Sequence, residues 1–467
     1  MALSPRASLA IAASRFLTLA IRLSGRGGGT SLPGKVALKI CPNLLETLSD
    51  RFTILMVTGT NGKTTTSRMI ARLLEASGIR YETNKSGANL ASGVTATVAG
   101  ATSLFGRPKA THLLLETDEA AFRIVAPRLK PKVVVATNFF RDQLDRFGEL
   151  YSTLNAVREG LAGTPGTLLV FNADDSLCAS LGIDMKSGTP ADRPLLSYGL
   201  STACCDGTQP ESSDAAYCIR CSTLYHYDAS SYGHLGHFRC PSCGYARPTP
   251  DVEGLSVETA DDHSRITCRT PQGQFTADVA LPGLYNVYNA LSATTLAEAL
   301  SLSHEAVRTA LSSFERGFGR METFEVEGRT VQIILVKNPT GFNQVLQHLN
   351  GLSGIVVPFF LINDQLADGT DISWLWDVDF ERFSRQSGTM PGMVVSGIRA
   401  DDMAVRLKYA GVDEQRIQVK PRAEDAFTQA LALTPQGGTL CLMPTYTALM
   451  DLRRLLAQKY GLKNFWK

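Results

Sequence analysis

Phe52-Thr53-Ile54-Leu55-Met56-Val57-Thr58-Gly59-Thr60-Asn61-Gly62-Lys63-Thr64-Thr65-Thr66-Ser67 is the stretch that decides the fold. An apolar run leads into a short loop with Gly59 and Gly62, and a helical pattern starting near Ser67 follows. That order suits a triphosphate. Loop N–H groups and a helix N-terminus face the anion, Lys63 adds a mobile charge, and a Thr hydroxyl holds Mg²⁺. The general pattern G-x-x-x-x-G-K-[ST] asks for glycine at 57, where this chain has Val57. Gly59 stands close before Gly62, so the loop is a tighter variant. Gly59, Thr60, Asn61, Gly62, Lys63, Thr64 and Thr65 are the expected ATP-binding residues. The alternative is a glycine-rich strand–helix turn that holds no nucleotide.

From residue 51 onward, strand patterns alternate with helical ones, which argues an α/β fold with a mainly parallel sheet. A chain of 467 residues has room for several domains. Its apolar share of 44% and net charge of +2 describe an ordinary globular protein, with no bulk basicity that demands nucleic acid. The N-terminus departs from that average. Residues 1–40 hold Arg6, Arg15, Arg22, Arg26, Lys35 and Lys39 and no acidic residue. Ser8 to Leu23 reads as an amphipathic helix of Leu, Ile and Phe. Arg15 and Arg22 interrupt what a secretory signal needs, and the segment is too short and charged to span a bilayer. A helix packed on the next domain with a basic outer face is expected, with contact to an anionic membrane surface as the alternative. Nothing else in the chain suggests membrane insertion, and a cytoplasmic location is expected.

Four of the ten cysteines form Cys218-x₂-Cys221-x₁₈-Cys240-x₂-Cys243, the spacing of a zinc ribbon. Each C-x-x-C presents two thiolates to one tetrahedral ion, and Pro241 and Gly244 suit the tight turn of the second knuckle. In a reducing, ATP-rich compartment such cysteines hold metal rather than disulfide. Four thiolates leave no open position, so the expected Zn²⁺ is structural. His226, His234 and His237 lie between the knuckles and read as loop histidines, one of which can replace a Cys ligand. A ribbon can also bind nucleic acid through a basic, aromatic surface. Tyr217, Tyr225, Tyr227, Tyr232, Phe238 and Tyr245 are present, but only Arg220, Arg239 and Arg247 supply fixed charge, so no nucleic-acid partner is expected. The ribbon is expected as an insertion between the strand ending at Ser197-Tyr198-Gly199 and the apolar segment near Gln274–Leu281.

T-G-T-N-G-K-T-T-T at 58–66 resembles the Mur ligase family, ATP-dependent enzymes that join an amine to a carboxylate. Other pieces fall in that family's order. His112-Leu113-Leu114-Leu115-Glu116-Thr117-Asp118-Glu119 reads as a buried strand ending in carboxylates, and the resemblance makes Glu116 a Mg²⁺ ligand beside Thr64. An acidic strand end in solvent would read the same way. Val133 to Asn138 is another strand, followed by Phe139-Phe140-Arg141-Asp142-Gln143-Leu144-Asp145-Arg146-Phe147-Gly148-Glu149. Gln143 and Phe147 stand where the family pattern has histidines, so Gln143 is a weak candidate at a second metal. Phe171-Asn172-Ala173-Asp174-Asp175 is a strand end of the same kind. Gly283-Leu284-Tyr285-Asn286-Val287-Tyr288-Asn289-Ala290 matches G-x-x-N-x-x-N-A, which implies Asn286 and Asn289 near the nucleotide. Gly319-Arg320-Met321-Glu322 matches G-R-M-E, which implies that Arg320 reaches the phosphates.

The ribbon and the C-terminal region narrow the resemblance to the MurT branch of that family. Ordinary Mur ligases carry Asp-Tyr-Ala-His-Asn-Pro where this chain has Ile334-Leu335-Val336-Lys337-Asn338-Pro339. Leu361-Ile362-Asn363-Asp364 and the segment Ala367 to Phe380 are similar to the branch's C-terminal signature. The branch works with a GatD-type glutamine amidotransferase and amidates lipid II, converting the D-glutamate α-carboxylate of the stem peptide to D-isoglutamine in peptidoglycan synthesis. None of the cysteines lies in a G-x-C-x-G elbow, so the chain lacks that form of glutaminase nucleophile. By resemblance, Asp371 is lent across a heterodimer interface to orient the partner's catalytic histidine, with Lys63 and Glu116 acting at the ligase centre. A solvated acidic loop, with Trp374 and Trp376 as core or interface anchors, is the alternative. An amino-acid-adding ligase of the Mur or folylpolyglutamate type and a nucleic-acid-binding P-loop protein are the competing readings. The expected architecture is an N-terminal basic segment (1–50), a Mur-ligase-like ATP-binding domain (51–322) with its ribbon at about 205–250, and an α/β C-terminal domain (323–467).

Overall fold

A computed structural model describes residues 3–23, 31–84, 88–141, 150–205, 207, 214–260, 262–314, 320–384 and 390–461. The chain forms two compact units, one ending at Phe314 and the second holding residues 320–461.

The first unit contains α1 (Pro5–Leu23), α2 (Leu32–Ile40), α3 (Leu44–Ser49), β1 (Thr53–Thr58), α4 (Lys63–Ala76), β2 (Tyr81–Thr83), α5 (Ala91–Gly100), β3 (His112–Glu116), α6 (Glu119–Leu129) and β4 (Val133–Ala136). It continues through α7 (Leu150–Ala162), β5 (Leu168–Asn172), α8 (Ser176–Ala179), β6 (Leu195–Leu200), β7 (His226–Ser230), β8 (Gly236–Arg239), β9 (Val252–Thr259), β10 (Ser264–Thr270), β11 (Gly273–Val279), α9 (Leu284–Ala299) and α10 (His304–Ser312). Its described residues build one sheet in the order β11-β10-β9-β6-β5-β4-β1-β3-β2. The strands from β9 to β2 run parallel, while β10 is antiparallel to both β9 and β11.

Alternate residues of each central strand serve opposite faces. Ile54 and Met56 enter one core with Leu113, Leu115 and Val134, and Leu55 and Val57 enter the other with Leu114, Val133 and Val135. Both faces are covered, which is why these strands read as unbroken apolar runs. Val57 pairs with Glu116 on one side and Val135 on the other, so β1, β3 and β4 end at one level with the glycine loop. A crevice at the carboxyl ends of neighbouring strands is where open α/β sheets bind ligands.

Three expectations change in this unit. The helix after the loop begins at Lys63, not near Ser67, because Gly62 in the left-handed region (φ 81°) turns the chain straight into it. The strand that follows the ribbon is β9 at Val252, and the Gln274–Leu281 segment belongs mostly to β11, the outer edge of the sheet. The third change concerns α1. It buries Ala7, Ala10, Ile11 and Ser14 against the following helices, but its outer face carries Leu9, Phe16, Leu19 and Leu23 between the exposed Arg6 and Arg15 rather than basic residues alone. Arg15 lies exposed beside this apolar stripe. No helix of the described residues is long and apolar enough to cross a membrane.

The second unit comprises β12 (Arg320–Val326), β13 (Arg329–Ile334), α11 (Pro339–Gly351), β14 (Val356–Leu361), α12 (Glu381–Ser384), β15 (Met393–Ser396), α13 (Ala400–Tyr409), β16 (Ile417–Val419), α14 (Ala423–Leu433), β17 (Thr439–Pro444) and α15 (Tyr446–Tyr460). Its sheet order is β12-β13-β17-β14-β15-β16, parallel except for the β12–β13 hairpin. Asn338 caps α11 by accepting the Gly341 N–H, and Pro339 sits at the first helical position, where its missing N–H costs nothing.

Candidate active site

The loop between β1 and α4 is held open from behind. The Thr60 N–H donates to the Asn138 carbonyl at 2.8 Å, and the Asn61 N–H donates to Asn138 Oδ1 at 2.9 Å. Thr137 Oγ1 donates to the Asn61 carbonyl at 2.8 Å. A Cβ at Gly59 would lie 2.4 Å from Thr137 Oγ1, and one at Gly62 would lie 2.1 Å from Asn289 Oδ1. Both positions therefore need glycine for space as well as for their positive φ.

Helix α4 starts at Lys63 with Gly62 as its cap residue, which makes no side-chain cap hydrogen bond. By contrast, Asp118 caps α6 and Ser303 caps α10. An uncapped N-terminus at the end of a glycine loop leaves donors and the positive end of the helix dipole for an anion. Lys63 Nζ donates to the Gly59 carbonyl and, at 3.2 Å, to the Thr60 carbonyl, and pairs with Glu119 at 3.4 Å. Thr64 Oγ1 donates to Glu116 Oε1 at 3.1 Å. A hydroxyl and a carboxylate side by side at a helix N-terminus are oxygen donors of the kind Mg²⁺ takes beside a phosphate chain. The residues present fit a Mg²⁺–nucleotide.

Sequence reasoning missed the residues that aim Glu116. Asn84, just past β2, accepts the Glu116 N–H at 2.9 Å and donates to its carbonyl at 2.8 Å. Replacing Asn84 by Ala removes its hydrogen bonds to three backbone groups, the Ala88 carbonyl being the third, and should cost about 1–3 kcal/mol of stability, read by urea unfolding. A raised Mg²⁺ requirement for ATP turnover should accompany it. Unchanged Mg²⁺ dependence would show that Asn84 only stabilises the fold. Glu119, quoted in the sequence but given no role, proves to be the partner of Lys63.

Asn286 and Asn289 both lie on the first turns of α9. Asn286 Nδ2 donates to the Pro282 carbonyl at 2.7 Å, fixing the start of its own helix. Asn289 Oδ1 accepts from Thr66 Oγ1 at 3.3 Å and sits against Gly62. Asn289 therefore buttresses the loop and α4 from the side, and its Nδ2 donates at 3.4 Å to Asn286 Oδ1. Arg320 opens β12, with its side chain outside the described residues, as are Gly319 and Gln143.

Cys218, Cys221, Cys240 and Cys243 converge, with all four Sγ atoms within 4.8 Å of one another. Cys218 and Cys243 are 3.5 Å apart and Cys221 and Cys240 3.4 Å, and none is disulfide-bonded. Those spacings are close to the edge of an S₄ tetrahedron built on metal–sulfur bonds of about 2.3 Å, so the residues fit a tetrahedral cation. Hydrogen bonds with Thr223 bring the Cys221 thiol down to about 6, favouring the thiolate, while desolvation pushes Cys243 up to about 12.

Of the histidines of the insertion only His234 lies in a loop, the turn between β7 and β8, and it is turned away from this cluster toward Asp175. His226 and His237 are on strands β7 and β8, and His234 is fully buried with Nε2 3.3 Å from Asp175. Of the aromatics, Tyr225, Tyr227, Tyr232, Phe238 and Tyr245 are core residues, and only Tyr217 faces out. The insertion is rooted on the strand end that was read as a metal-type carboxylate pair. Asp174 pairs with Arg247 at 2.6 Å and accepts from the Tyr288 hydroxyl at 2.7 Å. Asp175 accepts the N–H groups of Phe139, Leu177 and Cys178. Both carboxylates are consumed by structure. Tyr288 also meets Ser231 of the insertion at 2.9 Å, and it lies between Asn286 and Asn289.

In the second unit, Asp371 is half-buried and accepts the Ser373 N–H at 2.8 Å. It lines an open groove of 460 Å³ together with Trp376, Asp401, Asp402 and Val405. The neighbouring acids are occupied. Asp364 pairs with Arg399 at 2.6 Å, Asp379 with Arg382 at 2.7 Å, and Asp368 accepts the Thr447 N–H at 2.6 Å. Trp374 is a core residue, whereas Trp376 is exposed over Tyr409. Buried Arg406 holds this turn by donating to the Leu375 and Val378 carbonyls at 3.2 and 2.7 Å and pairing with Glu381.

Residues 57–207 match the Mur ligase middle domain, and residues 335–449 match the MurT ligase C-terminal domain. The chain is 32% identical over 433 residues to the lipid II isoglutaminyl synthase (glutamine-hydrolyzing) subunit MurT of Staphylococcus aureus strain COL, covering 92% of this chain and 94% of that one. It is 31% identical over 447 residues to the same subunit of Streptococcus pneumoniae R6, covering 94% of each. Among solved structures it is similar to a pseudomurein peptide ligase type C from Methanothermus fervidus, with a TM-score of 0.66 and 20% identity over 90% of this chain and 81% of that one. MurF from Acinetobacter baumannii gives a TM-score of 0.65 at 17% identity over 91% of this chain and 81% of that one. These structures share the fold. The near-full-length sequence similarity carries the closer relation: the chain belongs to the MurT family of Mur ligases.

Proposed function

We propose that the chain is the ligase subunit of a two-chain enzyme that amidates the D-glutamate α-carboxylate of the lipid II stem peptide, using ATP and ammonia released from glutamine by a GatD-type partner. The observation that carries it is the meeting of Lys63 and Thr64 with Glu116 and Glu119 at an uncapped helix start, in a chain similar to lipid II isoglutaminyl synthase subunits along nearly its whole length.

The loop amides from Thr60 to Thr65 and the Lys63 ammonium grip the β- and γ-phosphates, leaving the γ-phosphorus open to in-line attack by the substrate carboxylate. Thr64 and Glu116 hold Mg²⁺, which when bound neutralises charge on the phosphate oxygens. Asn289 keeps the loop against α4, and Asn286 supports Asn289. The carboxylate becomes an acyl phosphate, ammonia attacks its carbonyl carbon, and phosphate leaves. Ammonia must arrive unprotonated, which favours a shielded route from the partner. The surface around Asp371 suits that partner, because Trp376 and Val405, which line the same groove, and Tyr409 against Trp376 are all exposed. The reaction belongs on the cytoplasmic side, where ATP is supplied.

ADP release should require lipid II and rise with ammonium, while free amino acids leave it unchanged. Stimulation by an amino acid but not by ammonium would replace this reading with a peptide-forming ligase.

The Cys₄ cluster takes Zn²⁺ as a structural ion. Cys240→Ser should lose the metal by elemental analysis and lower the melting temperature, because β7 and β8 and the tyrosines on them would lose their anchor. A protein that binds no zinc yet melts like the metal-loaded form would contradict this role.

A further inference from the structure

The outer face of α1 carries exposed large apolar side chains that the reaction does not use. Leu9, Phe16 and Leu23 recur every seven residues, so on an α-helix they fall within about 40° of one another, and Leu19 lies alongside. They are 60%, 70%, 80% and, for Leu19, 57% exposed. The opposite stripe of Ala7, Ala10, Ile11 and Ser14 is fully packed, so this is a folded helix presenting a second apolar face that stays exposed among the described residues. Single exposed leucines need no explanation, but four large side chains on one stripe do.

The charge around the stripe says what covers it. Arg15 lies exposed on one edge and Arg6 toward the other, with Lys35 and Lys39 exposed on the adjacent α2. Residues 1–40 contain no carboxylate to oppose them. An apolar stripe edged by unopposed cations matches the headgroup–acyl boundary of an anionic bilayer, where such helices lie in the plane of the interface. A protein partner would need an acidic ring around an apolar strip, a rarer combination than a phospholipid surface. We propose that α1 docks the protein on anionic phospholipid through Leu9, Phe16, Leu19 and Leu23. The docking goes beyond the proposed reaction and does not depend on it, although a lipid-borne substrate would profit from it.

Sedimentation of the full chain with vesicles tests this without lipid II, so its result is separate from that of the amidation assay. The chain should pellet with phosphatidylglycerol-containing vesicles and not with pure phosphatidylcholine, less so as salt rises. Phe16→Glu/Leu23→Glu should lower the bound fraction at least about tenfold, with circular dichroism and ATP turnover in detergent unchanged. Arg15→Glu should weaken binding to anionic vesicles while leaving the stripe intact. A wild-type chain that stays in the supernatant, or a double variant that still pellets, would overturn the proposal. So would a dimer in sedimentation velocity that the double variant breaks, since that outcome gives the face to a second copy of the chain.

Discussion

Lys63→Met is expected to lower ATP-dependent turnover by about a hundred- to a thousandfold, the loss typical of removing one preorganised group that stabilises transition-state charge. Met keeps the length and helix preference of Lys, and the backbone N–H at the start of α4 stays in place. The substitution therefore removes the ammonium alone. It also removes the ion pair that Lys63 makes at 3.4 Å with the buried carboxylate of Glu119, so some stability should be lost as well. The double variant Lys63→Met/Glu119→Gln separates the two effects. It should recover most of the stability and none of the turnover, measured by thermal unfolding and ADP release. Recovery of turnover in the double variant would mean that Lys63 serves the loop's architecture and not the phosphates.

Asp371→Asn carries the second large effect, and its value lies in asymmetry. Glutamine-driven amidation should fall by about 10³–10⁴-fold, the scale on which a triad fails when its carboxylate no longer fixes the histidine tautomer. Ammonia-driven amidation should stay near the wild-type rate, since Asp371 lies on the second unit and has no part in holding phosphate. The local fold should tolerate the change: Asn accepts the Ser373 N–H as Asp does, and Arg406 holds the turn through Leu375, Val378 and Glu381. Equal loss with both nitrogen donors would make Asp371 structural. Full activity with glutamine would remove it from the partner's catalytic centre.

What the sequence made legible was local. Gly59 to Thr65 could be read because a strand, a glycine loop and a helix start follow one another in the chain, and the cysteine knuckles because each pair is adjacent. Even there the helix start was placed too late, since Gly62's left-handed backbone is not visible in a pattern of apolar residues. The residues that aim the site stayed hidden, because each acts across the fold. Asn84 reaches Glu116 across 32 positions, and Arg406 reaches Val378 across 28. Asp174 and Asp175 looked like metal-binding carboxylates at a strand end. Only packing reveals that Arg247, Tyr288 and His234 surround them, turning the insertion into a buttress behind α9. The outer face of α1 was misread for a related reason. Periodicity shows that a helix has an apolar side, but α1 has two, and burial decides which one the rest of the unit already covers.

The most direct test of the account is the mass of lipid II after incubation with this chain, a GatD-type partner, ATP and glutamine. The account predicts the small loss of mass that comes from replacing one carboxyl OH by NH₂, with fragmentation placing it on the α-carboxyl of D-glutamate. ATP turnover with no change in lipid II mass, from either glutamine or ammonia, would contradict it.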